Sequence, residues 1–168
     1  MIATTQQQNN TAKSSVIQRI GGERDFEFVV LSLVDRLRDD KQLRRFFSTF
    51  EPNDLAAHQE EFLRVVFAQA NDMDDARTKN DLQVFIHLRY FLLIKQGFDE
   101  THFDLTISHI IAALEDAWVD DQDLIDDTVT VLNSVRPIFE QKGQTQSVQM
   151  RARTTRTGPK VLVSSSAQ

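Results

Sequence analysis

The stretch DLQVFIHLRYFLLIKQ, from Asp81 to Gln96, is a long apolar run near the middle of this chain. Between Val84 and Ile94 only His87, Arg89 and the hydroxyl of Tyr90 are polar. Such a run predicts a buried segment. No glycine or proline interrupts it, and its larger side chains recur at the three- and four-residue spacing that favours a helix over a strand, namely Leu82, Phe85, Leu88 and Leu92.

A buried helix would place the imidazole of His87 in the protein interior, where an unpaired polar group costs about 1–3 kcal/mol. Two interpretations follow for this histidine. It is either a structural core residue bonded to a carbonyl or carboxylate, or a neutral ligand of a metal or haem iron. The rest of the chain has to decide between them.

The composition describes one domain of ordinary size. The chain has 168 residues, 40% of them hydrophobic, with twelve phenylalanines but only five glycines and three prolines. This balance argues against an all-β or loop-rich protein. The absence of cysteine excludes disulfides, iron–sulfur clusters, cysteine-based zinc sites and thiol catalysis. We expect no transmembrane segment and no secretory signal, hence a cytoplasmic protein, with organelle targeting left open.

The net charge of −6 is distributed unevenly along the chain. Residues 1–20 carry +2 and residues 141–168 carry +5, whereas residues 21–140 contain all 25 acidic residues and carry −13. An acidic body repels a phosphate backbone, so we expect no nucleic-acid partner. The basic tail could contact an acidic partner.

Low hydrophobicity at both ends indicates three parts of the chain. We expect a disordered extension over residues 1–18, a folded domain over 19–141 and a basic disordered tail over 142–168. Within the domain, four further segments show helical spacing of apolar residues: 26–37, 55–67, 103–114 and 124–139.

Glycine, proline and polar residues mark the boundaries of these helices. Gly21-Gly22 precede the first helix, Pro52 opens another, and Gly97 should end the apolar helix as a left-handed cap. Pro137 should kink or end the last helix. The polar segment 71–80 predicts a loop.

Common catalytic motifs are absent from the chain. It contains no P-loop, no GxGxxG, no HExxH and no GxSxG. The acidic segment Asp120–Asp127 lacks the glycine and final glutamate of an EF-hand loop, and it is better explained as a helix start. His58 lies beside an apolar stripe and is a second histidine able to face inward, whereas His102 and His109 indicate surface or core-edge positions. The many phenylalanines suit either an ordinary core or a large planar ligand.

Five motifs occur in a recognisable order along the chain. They are IGG at Ile20–Gly22, DDKQLRRFF at Asp39–Phe47, DLAAHQEEFL at Asp54–Leu63, GFDETHFDLTISHIIAAL at Gly97–Leu114 and SVRPIFEQ at Ser134–Gln141. In this order they resemble the truncated haemoglobins, the short globins with a two-over-two helical sandwich. The resemblance covers Ile20 to Gln141 and implies an all-α, globin-like fold that binds haem b.

The resemblance also implies roles for individual residues. His87 would be the proximal ligand of the iron, and Phe47 would stack on the haem. The remaining pocket residues would lie on the distal side, with Val34 above the iron: Leu55, His58, Gln59 and Phe62. In some members of the family a histidine at the position of His58 binds iron itself, so His58 is a candidate sixth ligand.

Three positions depart from the pattern of the family. Val34 stands where the family usually has a tyrosine that hydrogen-bonds dioxygen, and Ala68-Gln69 replaces a glycine pair. An ungapped comparison with the shortest relatives puts Leu93 in the proximal position, so His87 requires an insertion. Distal hydrogen bonds would then come from the polar residues at positions 58 and 59.

Two functions from different classes remain open. The first is a haem protein that reversibly binds dioxygen, nitric oxide or carbon monoxide, for example in oxygen transport. Dioxygenation of nitric oxide is compatible with such a site, but no reductase motif commits the chain to an enzymatic activity. The second is a haem-free, globin-like sensory or interaction module. A void beside His87 would favour haem, whereas Phe85, Phe91 and Leu93 filling that space would favour the module. A plain helical bundle is a third, weaker reading.

Overall fold

The structure is a computed structural model that describes residues 14–72 and 76–140. They form seven α-helices and a short 3₁₀ helix, and no β-strand occurs in these two ranges. The helices are α1 (Val16–Ile20), α2 (Glu23–Asp39), α3 (Arg44–Phe47), α4 (Pro52–Asn71), α5 (Ala76–Lys95), α6 (Glu100–Asp116), α7 (Gln122–Val135) and the 3₁₀ helix (Arg136–Phe139). None of the described helices is long and apolar enough to cross a bilayer. The predicted all-α class is confirmed.

The four helices α2, α4, α6 and α7 build the body of the molecule. Helix α2 packs against both α4 and α6, and α4 packs against α7, which also contacts α6. The four helices therefore form a closed ring of contacts, which agrees with the predicted sandwich of two helices over two. Helix α5 contacts α4, α7 and the 3₁₀ helix, at one end of the sandwich.

The glycine pair between α1 and α2 is required by the backbone. Gly21 and Gly22 have φ angles of +122° and +107°, which side-chain-bearing residues rarely adopt. Gly97, with φ of +94°, follows the end of α5, as predicted from its position.

Aromatic rings fill the space between the two layers. Phe103 and Phe139 stack with their centroids 4.1 Å apart, and Phe26 meets Phe67 edge-on at 6.0 Å. All four are buried. Each pair adds a specific geometric preference to the burial of two large apolar side chains. The phenylalanine-rich composition therefore serves the core of the domain.

Two predicted boundaries differ from the structure. The loop predicted over 71–80 is too long, because α5 already begins at Ala76 and α4 runs to Asn71. Ala, Arg and Lys at the start of α5 are good helix formers despite their polarity. Residues 16–18, within the predicted N-terminal extension, form part of α1, where Ser15 caps the helix and Val16 is buried. Residues 1–13 and the predicted tail, 142–168, lie outside the described residues.

Helix α7 ends just before Pro137, as the position of this proline in the sequence predicts. It stops at Val135, and the chain continues through Pro137 as a 3₁₀ helix whose last residue, Phe139, is buried. The missing amide hydrogen of proline removes a helical hydrogen bond, which explains the change of helix type.

Helix α5 is buried on one face only, whereas its apolar sequence predicts a segment buried on all sides. Its buried side chains are Leu82, Ile86 and Tyr90, which recur every four residues. Leu88 and Leu92, expected in the core, are 71% and 67% exposed. Because this helix is apolar all round, the sequence pattern indicates a helix but cannot indicate which of its faces meets the core.

Candidate functional site

A cavity of about 440 Å³ lies between α4 and α5, next to α3. Its walls are mostly apolar and aromatic, with three polar or charged groups near its mouth and one deeper amide. The lining residues are Phe47, Phe50, Leu55, His58, Gln59, Glu61, Phe85, Leu88, Arg89, Tyr90, Leu92 and Leu93. Four of them were predicted from the sequence as pocket residues: Phe47, Leu55, His58 and Gln59.

Helix α4, which begins at Pro52, supplies one wall of this cavity. Leu55, His58 and Gln59 are spaced three and four residues along the helix, so they share one face. Gln59 is only 4% exposed, and its Oε1 has no hydrogen-bond partner among the described residues. An unpaired buried acceptor costs about 1–3 kcal/mol. The cavity therefore contains one acceptor that a ligand could satisfy.

His58 lies at the exposed mouth of the cavity. Its Nδ1 is 3.0 Å from Nη2 of Arg89, and the same guanidinium donates to the carbonyl oxygen of His58. Nη1 of Arg89 donates to Oε2 of Glu61 at 3.0 Å. The ring of Phe50 meets the imidazole edge-on, with 6.0 Å between centroids. Residues of α4 and α5 thus share a polar cluster at the mouth.

Tyr90 forms part of the inner wall on the α5 side. It is 3% exposed and contacts the rings of Phe62, Phe98, Phe103 and Phe139. Burial raises the pKa of its phenol well above the ordinary value, so the group stays neutral. This side of the cavity is consequently apolar and uncharged away from the mouth.

His87 is exposed and does not line the cavity. Its ring lies 6.2 Å from that of Phe91, a residue that is itself 43% exposed. The expectation of a buried imidazole is therefore wrong for this structure. Two residues correspond to about 200° around a helix, so with Arg89 at the cavity His87 points the opposite way.

The other predicted pocket residues lie deeper than expected. Val34 and Phe62 are buried in the core and do not line the cavity. Phe62 supports the wall from behind, since its ring contacts that of Tyr90 at 6.0 Å. Arg89 and Tyr90 were not predicted as site residues. They could have been identified from the sequence, because they are among the few polar residues of the apolar run between Val84 and Ile94.

The two remaining histidines have structural partners outside the cavity. Nδ1 of His102 lies 2.6 Å from Oδ1 of Asp99, the residue that caps α6. Nε2 of His109 lies 2.9 Å from Oδ2 of Asp40. Both histidines are at the edge of the core, as their positions in the sequence indicate.

The two sides of the cavity differ in the groups that they offer to a ligand. The volume lies in the range of about 300–1,000 Å³ that is usual for cofactor sites. The α3–α4 side offers flat aromatic area, an imidazole at the mouth and the unpaired acceptor of Gln59. The α5 side offers Arg89 and apolar side chains but no imidazole.

The solved structures that are similar to this chain include two globins. THB4 from Chlamydomonas reinhardtii is 27% identical, with a TM-score of 0.59, over 74% of this chain and 94% of its own. A globin from Synechococcus sp. PCC 7002, described with a haem modification, is 22% identical, with a TM-score of 0.58, over 75% of this chain and 98% of its own. No protein-family model and no curated protein matches the chain. The fold is that of a globin.

Proposed function

We propose that this chain, which has the fold of a globin and resembles the truncated haemoglobins, binds haem b in the cavity between α4 and α5. Haem supplies an iron atom at which a diatomic gas such as dioxygen, nitric oxide or carbon monoxide can bind reversibly. The protein supplies a pocket that holds the ring and limits the access of water. No enzymatic turnover is part of this proposal.

The observation that carries the proposal is the set of residues that meet at the cavity. Phe47, Leu55, His58 and Gln59 come from two helices, and the resemblance to truncated haemoglobins independently implies each of them as a haem contact. Phe47 would lie against the ring and Leu55 would exclude water. The amide of Gln59 and the imidazole of His58 are the groups able to hydrogen-bond a small ligand.

We propose His87 as the proximal ligand, although binding iron would require a change in the orientation of α5. The imidazole reaches the cavity only if α5 turns by about half a turn from the arrangement described above. His58 is the alternative ligand, because its imidazole lies at the mouth of the cavity, but it can bind iron only after its contact with Arg89 opens. The two assignments differ in which histidine the iron spectrum depends on.

Titration with haemin, followed by the Soret band, tests the proposal. The full chain should bind one haemin tightly, and Leu93→Trp, which fills the cavity with an indole, should weaken binding at least tenfold. Leu31→Trp is the matched control, because it adds the same indole on the exposed side of α2, where Leu31 is 50% exposed. Absence of a sharp Soret band with the unmodified chain would refute haem binding.

The same titration assigns the iron ligand and tests gas binding. His87→Ala should shift or abolish the Soret band if His87 is the ligand, whereas His58→Ala should do so if His58 is. Carbon monoxide added to the reduced protein should shift the band further. An unchanged spectrum with carbon monoxide would leave haem binding without the proposed gas function.

A haem-free globin-like module is the second candidate, and one specific observation favours it. His87 faces solvent while Arg89 occupies the position toward the cavity. A cation placed there suits an organic ligand or a protein contact better than it suits iron. Failure of the unmodified chain to bind haemin in the titration above would favour this candidate.

A further inference from the structure

We propose that Arg89 is a latch that holds α5 in one of two packing registers, the register that turns His87 away from the cavity. The effect on haem affinity rests on the haem site proposed above. The latch itself is a property of the protein without haem, so it can be tested separately.

The latch consists of the contacts that Arg89 makes across the mouth of the cavity. Its side chain is only 14% exposed and donates to Glu61 at 3.0 Å. Its Nη2 lies 3.0 Å from Nδ1 of His58 and donates to the carbonyl oxygen of the same residue. The guanidinium also lies over the ring of Phe85, 5.4 Å from its centroid. Glu61 and His58 belong to α4, so Arg89 joins α5 to α4.

These contacts determine the chemical state of His58. A guanidinium has five N–H donors and no acceptor, so Nδ1 of His58 has to accept the hydrogen bond and carries no proton. In the neutral imidazole the proton is then on Nε2. A protonated nitrogen is a donor and cannot coordinate a metal. With the latch closed, His58 is a hydrogen-bond donor and not a sixth iron ligand.

Helix α5 has a second apolar face, which this register leaves partly exposed in the part of the chain that the structure describes. Val84, His87 and Phe91 lie within about 60° of one another around the helix axis. Val84 is 51% exposed and Phe91 is 43% exposed. Leu82, Ile86 and Tyr90 pack the opposite face against the core and favour the present register. The polar contacts of Arg89 with α4 add to that preference.

The two registers exclude each other. His87 and Arg89 point about 200° apart, so turning His87 into the cavity withdraws Arg89 from His58 and Glu61. A haem bound through His87 must therefore compete with the latch. Removing the latch should tighten haemin binding by about tenfold, since the ligand no longer has to shift an equilibrium that opposes it.

Hydrogen–deuterium exchange of the haem-free full chain tests the latch directly. Arg89→Leu should speed amide exchange in α5, and Arg89→Lys should restore part of the protection, because an ammonium is also a donor-only cation. Lys95→Met is the matched control, because it removes another cation from the same helix. The Lys95 ammonium lies over the ring of Phe91 and contacts none of the latch residues. Unchanged exchange in Arg89→Leu overturns the latch.

Haemin titration of the same variants tests its consequence. Arg89→Leu should bind haemin about tenfold more tightly than the unmodified chain, and Lys95→Met should not differ from it. Equal or weaker binding by Arg89→Leu overturns control of haem affinity by the latch. Should no variant bind haemin, the proposed function fails, while the exchange data still decide whether Arg89 holds α5.

A second variant covers the case in which Arg89→Leu does not fold. Glu61→Gln weakens the latch from α4, and the Glu61 side chain is 62% exposed, so its replacement leaves the core untouched. Glu61→Gln should speed amide exchange in α5 and tighten haemin binding, each by less than Arg89→Leu does. Protection of α5 equal to that of the unmodified chain contradicts the proposal.

Discussion

Nε2 of His109 lies 2.9 Å from Oδ2 of Asp40, so α6 is joined to the residue that ends α2. The other carboxylate oxygen accepts hydrogen bonds from the amides of Gln42 and Leu43, at 2.7 and 3.0 Å. One carboxylate therefore closes a turn and connects the two layers of the sandwich. Partial burial raises the pKa of Asp40, but these hydrogen bonds outweigh it and hold the pKa below the ordinary value.

Asp40 should make the stability of the fold depend on pH in the acid range. A carboxyl group whose pKa is lowered by folding stabilises the native state above its ordinary pKa of about 4 and loses this effect as the pH falls through the lowered value. Asp40→Asn should therefore reduce the fall in unfolding free energy between pH 5 and pH 2.5. Asp40→Ala, which also removes the turn cap, should cost about 1–2 kcal/mol at pH 7.

Urea denaturation across this pH range, followed by circular dichroism, makes both measurements. Other carboxylates with lowered pKa values, such as Asp99 and Asp104, will keep part of the acid dependence. An acid dependence in Asp40→Asn equal to that of the unmodified chain would contradict the assignment.

The ion pair between Arg19 and Asp121 should stabilise the fold more than an exposed pair does. Nε and Nη2 of Arg19 donate to the two oxygens of Asp121 at 2.8 and 2.7 Å, and the side chains are 16% and 32% exposed. Asp121 also caps α7 through the amide of Leu124. Arg19→Met should cost about 1 kcal/mol, because a fixed two-pronged pair loses little to side-chain entropy.

Arg36→Met is the comparison for this prediction. Arg36 pairs with Asp116 at a similar distance of 2.7 Å, but both side chains are more exposed. Chemical denaturation should show a smaller loss for Arg36→Met than for Arg19→Met. An equal or larger loss would mean that burial does not distinguish the two pairs.

The sequence predicts much of the fold because its local signals are strong. The glycine pair 21–22, Gly97 and Pro137 each stand where the backbone changes direction or type, and their chemistry allows few alternatives. The α4 wall of the cavity was predictable for the same reason, since Leu55 and Gln59 lie on an amphipathic helix whose inner face is clear.

The orientation of α5 was not predictable from the same kind of evidence. Its apolar residues surround the helix, so Leu88 and Ile86 are equivalent in the sequence, although only Ile86 is buried. Tertiary contacts decide which face points inward: Tyr90 packs against four aromatic rings of the core, and Arg89 binds α4 across the cavity. A pattern within one helix contains no information about a partner on another helix.

The side-chain oxygen of Gln59, which has no partner among the described residues, leads to a prediction for the protein without added ligand. Replacing a buried polar group that lacks a partner by an apolar group of similar size removes a desolvation cost. Gln59→Leu should therefore leave the unfolding free energy unchanged or raise it by about 1 kcal/mol. Chemical denaturation of the haem-free chain measures this change.

Gln69 provides the matched control for this substitution. Its Oε1 is also buried and has no partner within residues 14–72 and 76–140, but its Nε2 donates to the carbonyl oxygen of Asp72 at 2.9 Å. Gln69→Leu loses that bond at the end of α4 and should lower stability. If Gln59→Leu were equally destabilising, the amide of Gln59 would have to be paired in solution.

Tyr90 should make the protein sensitive to alkaline pH. Burial raises the pKa of its phenol, so the native state keeps the proton while an unfolded tyrosine releases it near pH 10. The stabilisation is complete below pH 10 and is lost as the pH rises further, by up to about 1.4 kcal/mol per pH unit. Tyr90→Phe should flatten this alkaline fall in unfolding free energy.

The chain contains a single tyrosine, so the ultraviolet absorbance of tyrosinate reports on Tyr90 alone. We expect tyrosinate to form only as the helical circular dichroism is lost, since the buried phenol cannot ionise while α5 stays packed on the core. Ionisation near pH 10 with the helical signal intact would show that water reaches the phenol. In that case the inner wall of the cavity would be open, and α5 would not hold the register described above.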